Sequence, residues 1–367
     1  MLLAFLPLCS PSQAEGYRFD AVYTGEVFSN VSGGIETGTR YLDNLDLKLE
    51  VDIAEAWGFA SGRFFVYGLY NNATTLSDEL VGDLQGISNI DAPHAWRVYE
   101  FWYEFGDGPW SIRTGLYDLN SEFDTIDAGG LFLNSSHGIG PDFSQTDENG
   151  PGIFPISSLA LRGSLRTNAF TVRIAVLDGV PDNPASNAID IGGQDGTLTV
   201  AELDVPIFES GRLWAGHWRY SGDFERPFDA GTTNDNDGWY IGAENRFVIG
   251  SHSAAWFVRF GSANEQLYPV QDYVGAGIVI DAPVATRPDD QLGFAVASAR
   301  VGDPYRTYVN QIGGNAQRRE TNWELTYRAQ LSERLAIQPD IQFVQYPAAS
   351  SSLDNAWVVG LRFEIAY

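Results

Sequence analysis

Six polar side chains are grouped in one stretch of the chain, at Asp118, Asn120, Glu122, Asp124, Asn134 and His137. Carboxylates, amides and an imidazole can accept hydrogen bonds from hydroxyl groups or donate to them, which is the chemistry needed to hold a polyol. Asp and Asn also serve as turn and cap residues, because their short side chains hydrogen-bond the nearby backbone. The stretch therefore predicts either a site for a hydroxyl-rich solute or a tightly turned loop, and both interpretations stay open.

A second group of candidates lies on the polar faces of alternating segments. The strand positions that alternate with the apolar ones carry the arginines Arg113, Arg162, Arg173, Arg219, Arg246, Arg259, Arg328 and Arg362. The same positions carry the acids Glu100, Glu104, Glu244, Glu324 and Glu364 and the aromatic residues Trp102 and Tyr240. A guanidinium fork suits adjacent hydroxyls, and a flat ring can stack on the apolar face of a sugar. Opposed Arg and Glu can equally brace neighbouring strands.

Strands, rather than helices, must position these residues. In residues 357–367 the odd positions are all apolar, whereas the even positions are Val358, Gly360, Arg362, Glu364 and Ala366. A strand sends successive side chains to opposite faces, and a tilted strand that crosses a bilayer needs roughly 9–11 residues. Segments 17–28 and 45–53 alternate in the same way, and about sixteen such segments, as in large membrane barrels, follow one another along the chain.

The connections between these segments alternate between short and long, with residues 281–290 as the exception. Outer-membrane barrels have short turns on one side and long loops on the other, whereas a soluble sandwich has no reason for this alternation. Closure leaves no unpaired edge, and a barrel of this size encloses water. The sequence predicts an all-β fold: a transmembrane antiparallel up-and-down β-barrel of about 16 strands, formed by residues 15–367 as one domain.

The longest connection, residues 118–156, is predicted to fold into the barrel. It contains Phe123, Leu131, Phe132, Leu133, Ile139 and Phe143. These are too many apolar residues for a disordered segment, and the glycines and prolines among them suit tight bends. An ordered, partly apolar loop above a wide barrel would fold inward and narrow it. An ordinary packed loop outside the barrel is the alternative.

The same region resembles a known family. The runs GLYDLNSEFD (115–124), GLFLNSSHGIGPDFSQ (130–145), NGPGIFP (149–155) and SLALR (158–162) are similar to the OprB family of carbohydrate-selective porins. The resemblance implies a sixteen-stranded barrel in the outer membrane of a Gram-negative bacterium, in contact with outer-membrane lipid. It also implies facilitated diffusion of monosaccharides such as glucose, without catalysis or energy coupling.

The composition excludes several classes of function. The formal net charge is −26, so nucleic acid is not expected as a partner. The four histidines lack metal-ligand spacing, and no phosphate loop, dinucleotide fingerprint or nucleophile elbow is found. We therefore predict no catalytic residues, no metal and no cofactor. Residues 1–14 are predicted to be a signal peptide, with Ser12-Gln13-Ala14 at its cleavage site.

The leading prediction is a monosaccharide porin whose constriction is formed by the long loop and nearby lumen side chains. The predicted constriction residues are Glu100, Trp102, Arg113, Asp118, Asn120, Glu122, Asp124, Asn134, His137 and Arg162. A general diffusion porin without sugar preference is the first alternative. A secreted β-rich glycosidase or lectin is an alternative from another class. The state of assembly is open, with a homotrimer among the options.

Overall fold

The wall of the molecule is an antiparallel sheet that closes on itself. The computed structural model describes residues 12–58, 61–72, 75–106, 108–181 and 196–367. The wall strands are Tyr17–Gly34 (β1), Gly38–Asp52 (β2), Arg63–Asn71 (β3), Ala95–Phe105 (β4), Trp110–Tyr117 (β5), Ser158–Arg166 (β6), Thr171–Asp178 (β7), Thr197–Ile207 (β8), Gly211–Tyr220 (β9), Asp237–Ile249 (β10), His252–Ala263 (β11), Val270–Asp281 (β12), Gln291–Val301 (β13), Arg319–Ser332 (β14), Leu335–Gln345 (β15) and Asp354–Ala366 (β16). Each strand pairs with its neighbour in sequence, and β16 pairs with β1. The predicted sixteen-stranded barrel is confirmed.

The remaining regular elements are short. They are a strand at Ser12–Ala14, a hairpin of Phe224–Glu225 with Thr232–Thr233, α-helices at Ile53–Trp57, Pro141–Ser144 and Asp303–Gln311, a π-helical turn at Leu76–Val81, and 3₁₀ turns at Leu119–Ser121, Ala128–Leu131, Ser135–His137 and Pro347–Ala349. Within the described ranges, no helix is long and apolar enough to cross a membrane. Most of the predicted signal peptide, residues 1–11, lies outside the described residues.

The last strand shows why alternation produces this wall. On β16 the side chains of Trp357, Leu361 and Ile365 are exposed on the outer face, whereas Val358 and Arg362 are buried on the inner face. Because the side-chain period of a strand is two residues, one register places every apolar odd residue outside. The prediction for this segment is confirmed. The first hairpin is longer than predicted, since β1 and β2 continue to a tight connection at residues 35–37.

Two predicted orientations are wrong. Arg219 was expected inside the barrel, but Trp218 and Tyr220 face inward on β9 and are buried, so Arg219 points outward. The alternation of Tyr99, Phe101, Tyr103 and Phe105 with Glu100, Trp102 and Glu104 predicts that Tyr99 lies on the apolar face of β4. A β-bulge opposite Tyr67 and Gly68 shifts the register at this point, and both Tyr99 and Glu100 are buried. An extra residue in one strand changes the parity of everything beyond it.

Glycines on the inner wall make room for large rings. A Cβ at Gly216 would collide with the ring of Tyr240, and one at Gly242 would collide with Trp214. The rings of Trp214 and Tyr240 can therefore lie close to the wall, and these two rings and that of Trp218 are fully buried. They form an apolar surface inside the barrel, which an inward-folded loop can cover.

Candidate functional site

The long inner loop, residues 118–157 between β5 and β6, fills part of the barrel interior. Its apolar side chains pack on the inner wall: Phe143 stacks on Trp218 with ring centroids 5.1 Å apart and an interplanar angle of 3°, and Phe132 contacts Phe257 at 5.9 Å. Phe123, Phe132 and Phe143 are fully buried. The predicted inward folding is confirmed, and burial of apolar surface stabilises it.

A second inner loop, residues 75–94 between β3 and β4, also turns into the barrel and contacts the long inner loop. Ser135 donates to the carbonyl of Ser88 at 3.1 Å, and Asn89 donates to the carbonyl of Phe132 at 3.3 Å. Buried Leu76, Leu80, Val81, Ile87 and Ile90 anchor it. This inward turn was not predicted, although the apolar content of the segment was the available signal.

Wall carboxylates hold the backbone of the long inner loop. Glu202 accepts from the Asp124 N–H at 2.7 Å, and Glu244 accepts from the Ala128 N–H at 3.0 Å. Glu324 takes two N–H groups, those of Leu133 at 2.6 Å and Asn134 at 3.1 Å. Each of these contacts gives a buried backbone N–H of the loop the hydrogen-bond acceptor that it needs. Wall acids on β8, β10 and β14 therefore fix the path of the loop across the barrel.

The second inner loop is held in the same way. Glu320 on β14 accepts from the Leu84 N–H at 2.8 Å and from the Gln85 amide at 3.1 Å. Glu26 on β1 accepts from the Ser88 hydroxyl at 2.6 Å and pairs with Arg362. Both inner loops thus depend on acids that alternation places on the inner face.

A buried charge cluster fixes the middle of the long inner loop. Arg259 of β11 donates to Asp124 through Nε at 3.2 Å and Nη2 at 2.6 Å, and its Nη1 pairs with Asp142. None of the three side chains is exposed. Burial raises the pKa of Asp142 to about 6 and also raises the pKa of Asp124, although Arg259 opposes both shifts. The arginine gives two distant parts of the loop one anchor.

His137 lies at the tip of this loop with no exposed surface. Its ring packs against Phe132 at 5.0 Å and Phe257 at 5.8 Å, and neither ring nitrogen has a hydrogen-bond partner. Its Nε2 is 3.9 Å from a Glu324 oxygen. Burial lowers the pKa of His137 to about 3, so the ring is neutral near pH 7. It acts as a packed core residue.

A row of charged residues crosses five neighbouring strands on the inner face. The register pairs are Asp52–Arg63, Arg63–Glu104, Glu104–Arg113 and Arg113–Arg162. Arg63, Arg113 and Arg162 all form ion pairs with Glu104. The charges alternate in sign until the last pair, in which two arginines lie side by side.

Glu122 of the long inner loop bridges these two arginines. Its Oε2 is 2.7 Å from Arg162 Nε and 3.4 Å from Arg113 Nη1, and it also accepts from the Tyr117 hydroxyl at 2.7 Å. Burial alone would raise the pKa of Glu122, but Arg113 and Arg162 outweigh it and hold that pKa below its usual range. The bridge joins the start of the loop to the charged row.

Trp102 supports the row from one side. The Arg113 guanidinium lies 3.8 Å from the centre of its ring, and Phe65 stacks on it with centroids 4.9 Å apart. Its indole N–H donates to Glu100 at 3.0 Å, and Glu100 also accepts from the Asp118 N–H at 3.2 Å. Trp102 is buried. Both neighbours occupy its ring surface, so it is a support for the site.

Of the predicted constriction residues, Trp102, Arg113, Glu122 and Arg162 meet in this cluster, with Glu100 and Asp118 beside it. Asp118 and Asn134 cap 3₁₀ turns by accepting from the N–H of Asn120 at 2.9 Å and of Ser136 at 3.1 Å. Asn120 donates to the Phe123 carbonyl at 3.0 Å. Asp124, Asn134 and His137 have no exposed surface. These contacts match the turn-and-cap interpretation for Asp118, Asn120 and Asn134, and Asp124, Asn134 and His137 hold the loop from buried positions.

Arg63 and its neighbour Glu50, whose Oε1 lies 3.8 Å from Arg63 Nη1, are not among the predicted constriction residues, and Glu104 was predicted only as an acid on the polar face of its strand. The Arg63 side chain is 43% exposed within the barrel, whereas that of Arg162 is 1% exposed. Which residues lie opposite Arg63 and Arg162 depends on the register between strands, and a single sequence carries no signal for that register. Within the described part of the chain, no group of three or more His, Cys, Asp or Glu is arranged to hold a metal ion.

Comparisons with known proteins agree with this architecture. A family model described as "Carbohydrate-selective porin, OprB family" matches residues 36–367. Porin B of Pseudomonas aeruginosa is 24% identical over 405 aligned residues, covering 96% of this chain and 88% of that protein. The putative porin QuiX of Acinetobacter baylyi is 30% identical over 409 aligned residues, covering 97% and 90%. The high-pH structure of Pseudomonas putida OprB superposes with a TM-score of 0.87 at 22% identity, covering 96% and 94% of the two chains.

Proposed function

Because this chain belongs to the OprB family of carbohydrate-selective porins, we propose that it passes monosaccharides such as glucose by facilitated diffusion. The solute would move down its gradient through a water-filled barrel that the two inner loops narrow. The constriction would be formed by the charged row and Glu122. This is a channel function, without a covalent step.

The observation that carries the proposal is the bridging of the charged row by a loop residue. Arg63, Glu104, Arg113 and Glu122 keep some exposed side-chain surface, at 43%, 11%, 9% and 15%. They present donors and acceptors of both signs side by side, which suits a neutral solute rich in hydroxyl groups. Arg162 lies behind them and positions Glu122. A site that passes its solute must bind it weakly.

The outer surface of the barrel supports an outer-membrane location. Outward side chains such as Phe101, Leu161, Ile174 and Phe294 are large, apolar and exposed, and they would contact lipid. A barrel leaves no unpaired strand edge for lipid to meet. With long loops outside the cell, the inner loops would enter the channel from its external side and narrow it, in a Gram-negative outer membrane.

Liposome swelling with the purified, refolded chain tests the function. Swelling rates would be compared for glucose, for a disaccharide and for an amino acid close to glucose in size. Faster swelling with glucose than with the amino acid is the expected result. Rates that follow solute size alone would reduce the protein to a general diffusion porin. Protein that is soluble without detergent and gives no swelling would favour the secreted enzyme or lectin.

The state of assembly is a separate proposal. A homotrimer stays a prediction, and light scattering of the detergent-solubilised protein, corrected for bound detergent, distinguishes it from a monomer.

A further inference from the structure

One aromatic residue of the inner wall differs from the others. On the described strands, the aromatic side chains that face inward are buried, as Tyr67, Trp102, Tyr117 and Tyr240 are, with the exception of Phe65 on β3. Phe65 is only partly buried. Its exposed surface faces the space inside the barrel, because Phe64 and Val66 take the outer face.

Phe65 lies at the centre of a patch on three strands. Glu50, Phe65 and Trp102 are register partners across β2, β3 and β4. On one side of this line are Asp52, Arg63 and Glu104, and on the other are Lys48, Tyr67 and Glu100. Partners across strands are about 5 Å apart and next-but-one residues on a strand about 7 Å apart. The aromatic ring is therefore surrounded by hydrogen-bonding groups at short range.

The ring is held firmly in place. It stacks on Trp102 with an interplanar angle of 24°, and it meets Tyr67 edge-on at 6.4 Å. Trp102 is in turn covered by Arg113. A side chain that is fixed before binding loses little entropy when a solute arrives. The part of Phe65 that remains exposed is a rigid apolar surface.

The groups around the ring are polar and of both signs. The side chains of Glu50 and Arg63 are 35% and 43% exposed, with Arg63 Nη1 3.8 Å from Glu50 Oε1. The ammonium of Lys48, the one lysine of the chain, lies 4.6 Å from the centre of the Tyr67 ring. An apolar surface with a few placed donors and acceptors is typical of sites for small molecules. A pyranose offers the matching surface: an apolar ring face with hydroxyls at its edge.

We propose that Phe65 is the stacking platform of a saccharide subsite, with Glu50 and Arg63 binding the hydroxyls of the same sugar. This inference rests on the proposed function and adds the residue that recognises the ring form of the solute. The subsite shares Arg63 with the charged row and adjoins Glu104, so it forms part of the wall of the constriction. A linear polyol could use the polar groups but would offer no ring face to Phe65.

Ion-current measurements on the full chain in planar bilayers test this subsite. Glucose and sorbitol, which differ chiefly in the presence of a ring, would be titrated, and the current noise or block would report binding. The variants are Phe65→Leu, which keeps apolar volume, and Phe65→Tyr, which keeps the ring. Phe294→Leu, on the outward face, is the matched control, and liposome swelling with glucose is recorded for every variant.

The expected result is that Phe65→Leu binds glucose about fivefold to tenfold more weakly, the equivalent of one aromatic contact. Sorbitol binding should be unchanged, and both Phe65→Tyr and Phe294→Leu should behave as the wild type. If wild-type protein admits glucose and Phe65→Leu keeps the same glucose-to-sorbitol ratio, the subsite is refuted while the proposed function stands. If wild-type protein admits no glucose, the proposed function itself fails.

Discussion

Arg113 and Arg162 are direct register partners on β5 and β6, and Glu122 of the long inner loop lies between their guanidinium groups. Like charges directly opposite each other destabilise a sheet, so the two arginines need neighbouring acids. The wall alone supplies only part of the negative charge that they need. Glu104 serves both arginines from one side. The position of the loop and the pairing of the wall are therefore coupled.

Glu122→Gln should loosen the start of the long inner loop and raise the ion conductance of single channels. Removing one partner of a buried ion pair costs roughly 3–5 kcal/mol. Because the Glu122 side chain is slightly exposed, the cost of replacing it should be near the lower value. Glu148→Gln, at an exposed position of the same loop, is the control. Equal conductance in both variants would contradict the bridging role.

The stability that the Glu122 bridge gives to the inward loop should depend on pH, in a direction set by the sign of the shift in the pKa of Glu122. Because the pKa of Glu122 is held below its usual range by the two arginines, the bridge stabilises the inward loop fully above the ordinary Glu pKa. That stabilisation is lost as the pH falls through the lower pKa of the folded state. Conductance of Glu122→Gln should therefore vary less with pH in the acidic range than that of the wild type.

Arg259→Leu should destabilise the barrel far more than Arg246→Leu. Arg259 is fully buried between Asp124 and Asp142, and its removal would leave two buried carboxylates, at a cost of roughly 3–5 kcal/mol. Arg246 is 51% exposed and pairs with Asp281, so its loss should cost less than about 1 kcal/mol. The two variants would be compared by denaturant unfolding, in which the shifted gel mobility of the folded barrel reports the folded fraction. Similar midpoints would refute the anchoring role of Arg259.

His137 should make the inward loop less stable in acid. Its pKa is lowered to about 3 by burial, so between that value and about 6.5, the usual His pKa, the released loop binds a proton that the inward loop does not. Stability of the inward loop therefore falls as the pH drops through this window. His137→Phe should reduce the change in conductance between neutral and acidic pH. The control variant His217→Gln, at an outward-facing position of β9, should keep the wild-type change in conductance between neutral and acidic pH.

Leu361→Arg should prevent or weaken barrel assembly in lipid. Leu361 is exposed on the outer face in the middle of β16, where an arginine facing the bilayer midplane costs roughly 2–4 kcal/mol. Leu331→Arg, at the end of β14 near a short turn, should cost about 0–1 kcal/mol. The yield of folded barrel in lipid vesicles measures both. Equal yields would argue against a lipid-facing β16.

The fold was largely predictable because alternation and loop length carry it. β16 has one wholly apolar parity, and its orientation followed directly. The same reasoning gave the wrong orientation for β9, because Trp214, Trp218 and Tyr220 are aromatic but face the loop that occupies part of the barrel interior. Parity cannot separate a lipid-facing surface from an inner one covered by apolar side chains. Nor does composition reveal the bulge at Tyr99.

The site was only partly predictable. Arg113 and Arg162 were predicted because arginines on the polar face of a strand should point inward, and Glu122 was predicted as one of the polar residues of the long loop. Asp124, Asn134 and His137 carry the same compositional signal, yet their burial makes them anchors. Glu122 and Asp124 are two residues apart on one loop, and only their partners across the barrel tell them apart. Those partners depend on how the loop crosses the interior.

The most direct test of the account is the ratio of glucose to amino-acid swelling rates in wild-type protein and in Glu122→Gln/Glu324→Gln. The double variant removes the bridge and the Glu324 carboxylate that holds two loop N–H groups. We predict a high ratio for the wild type and a ratio set by solute size alone for the variant. An unchanged ratio, with the variant still assembled as a barrel, would contradict the claim that the held inner loop makes the channel selective for sugars.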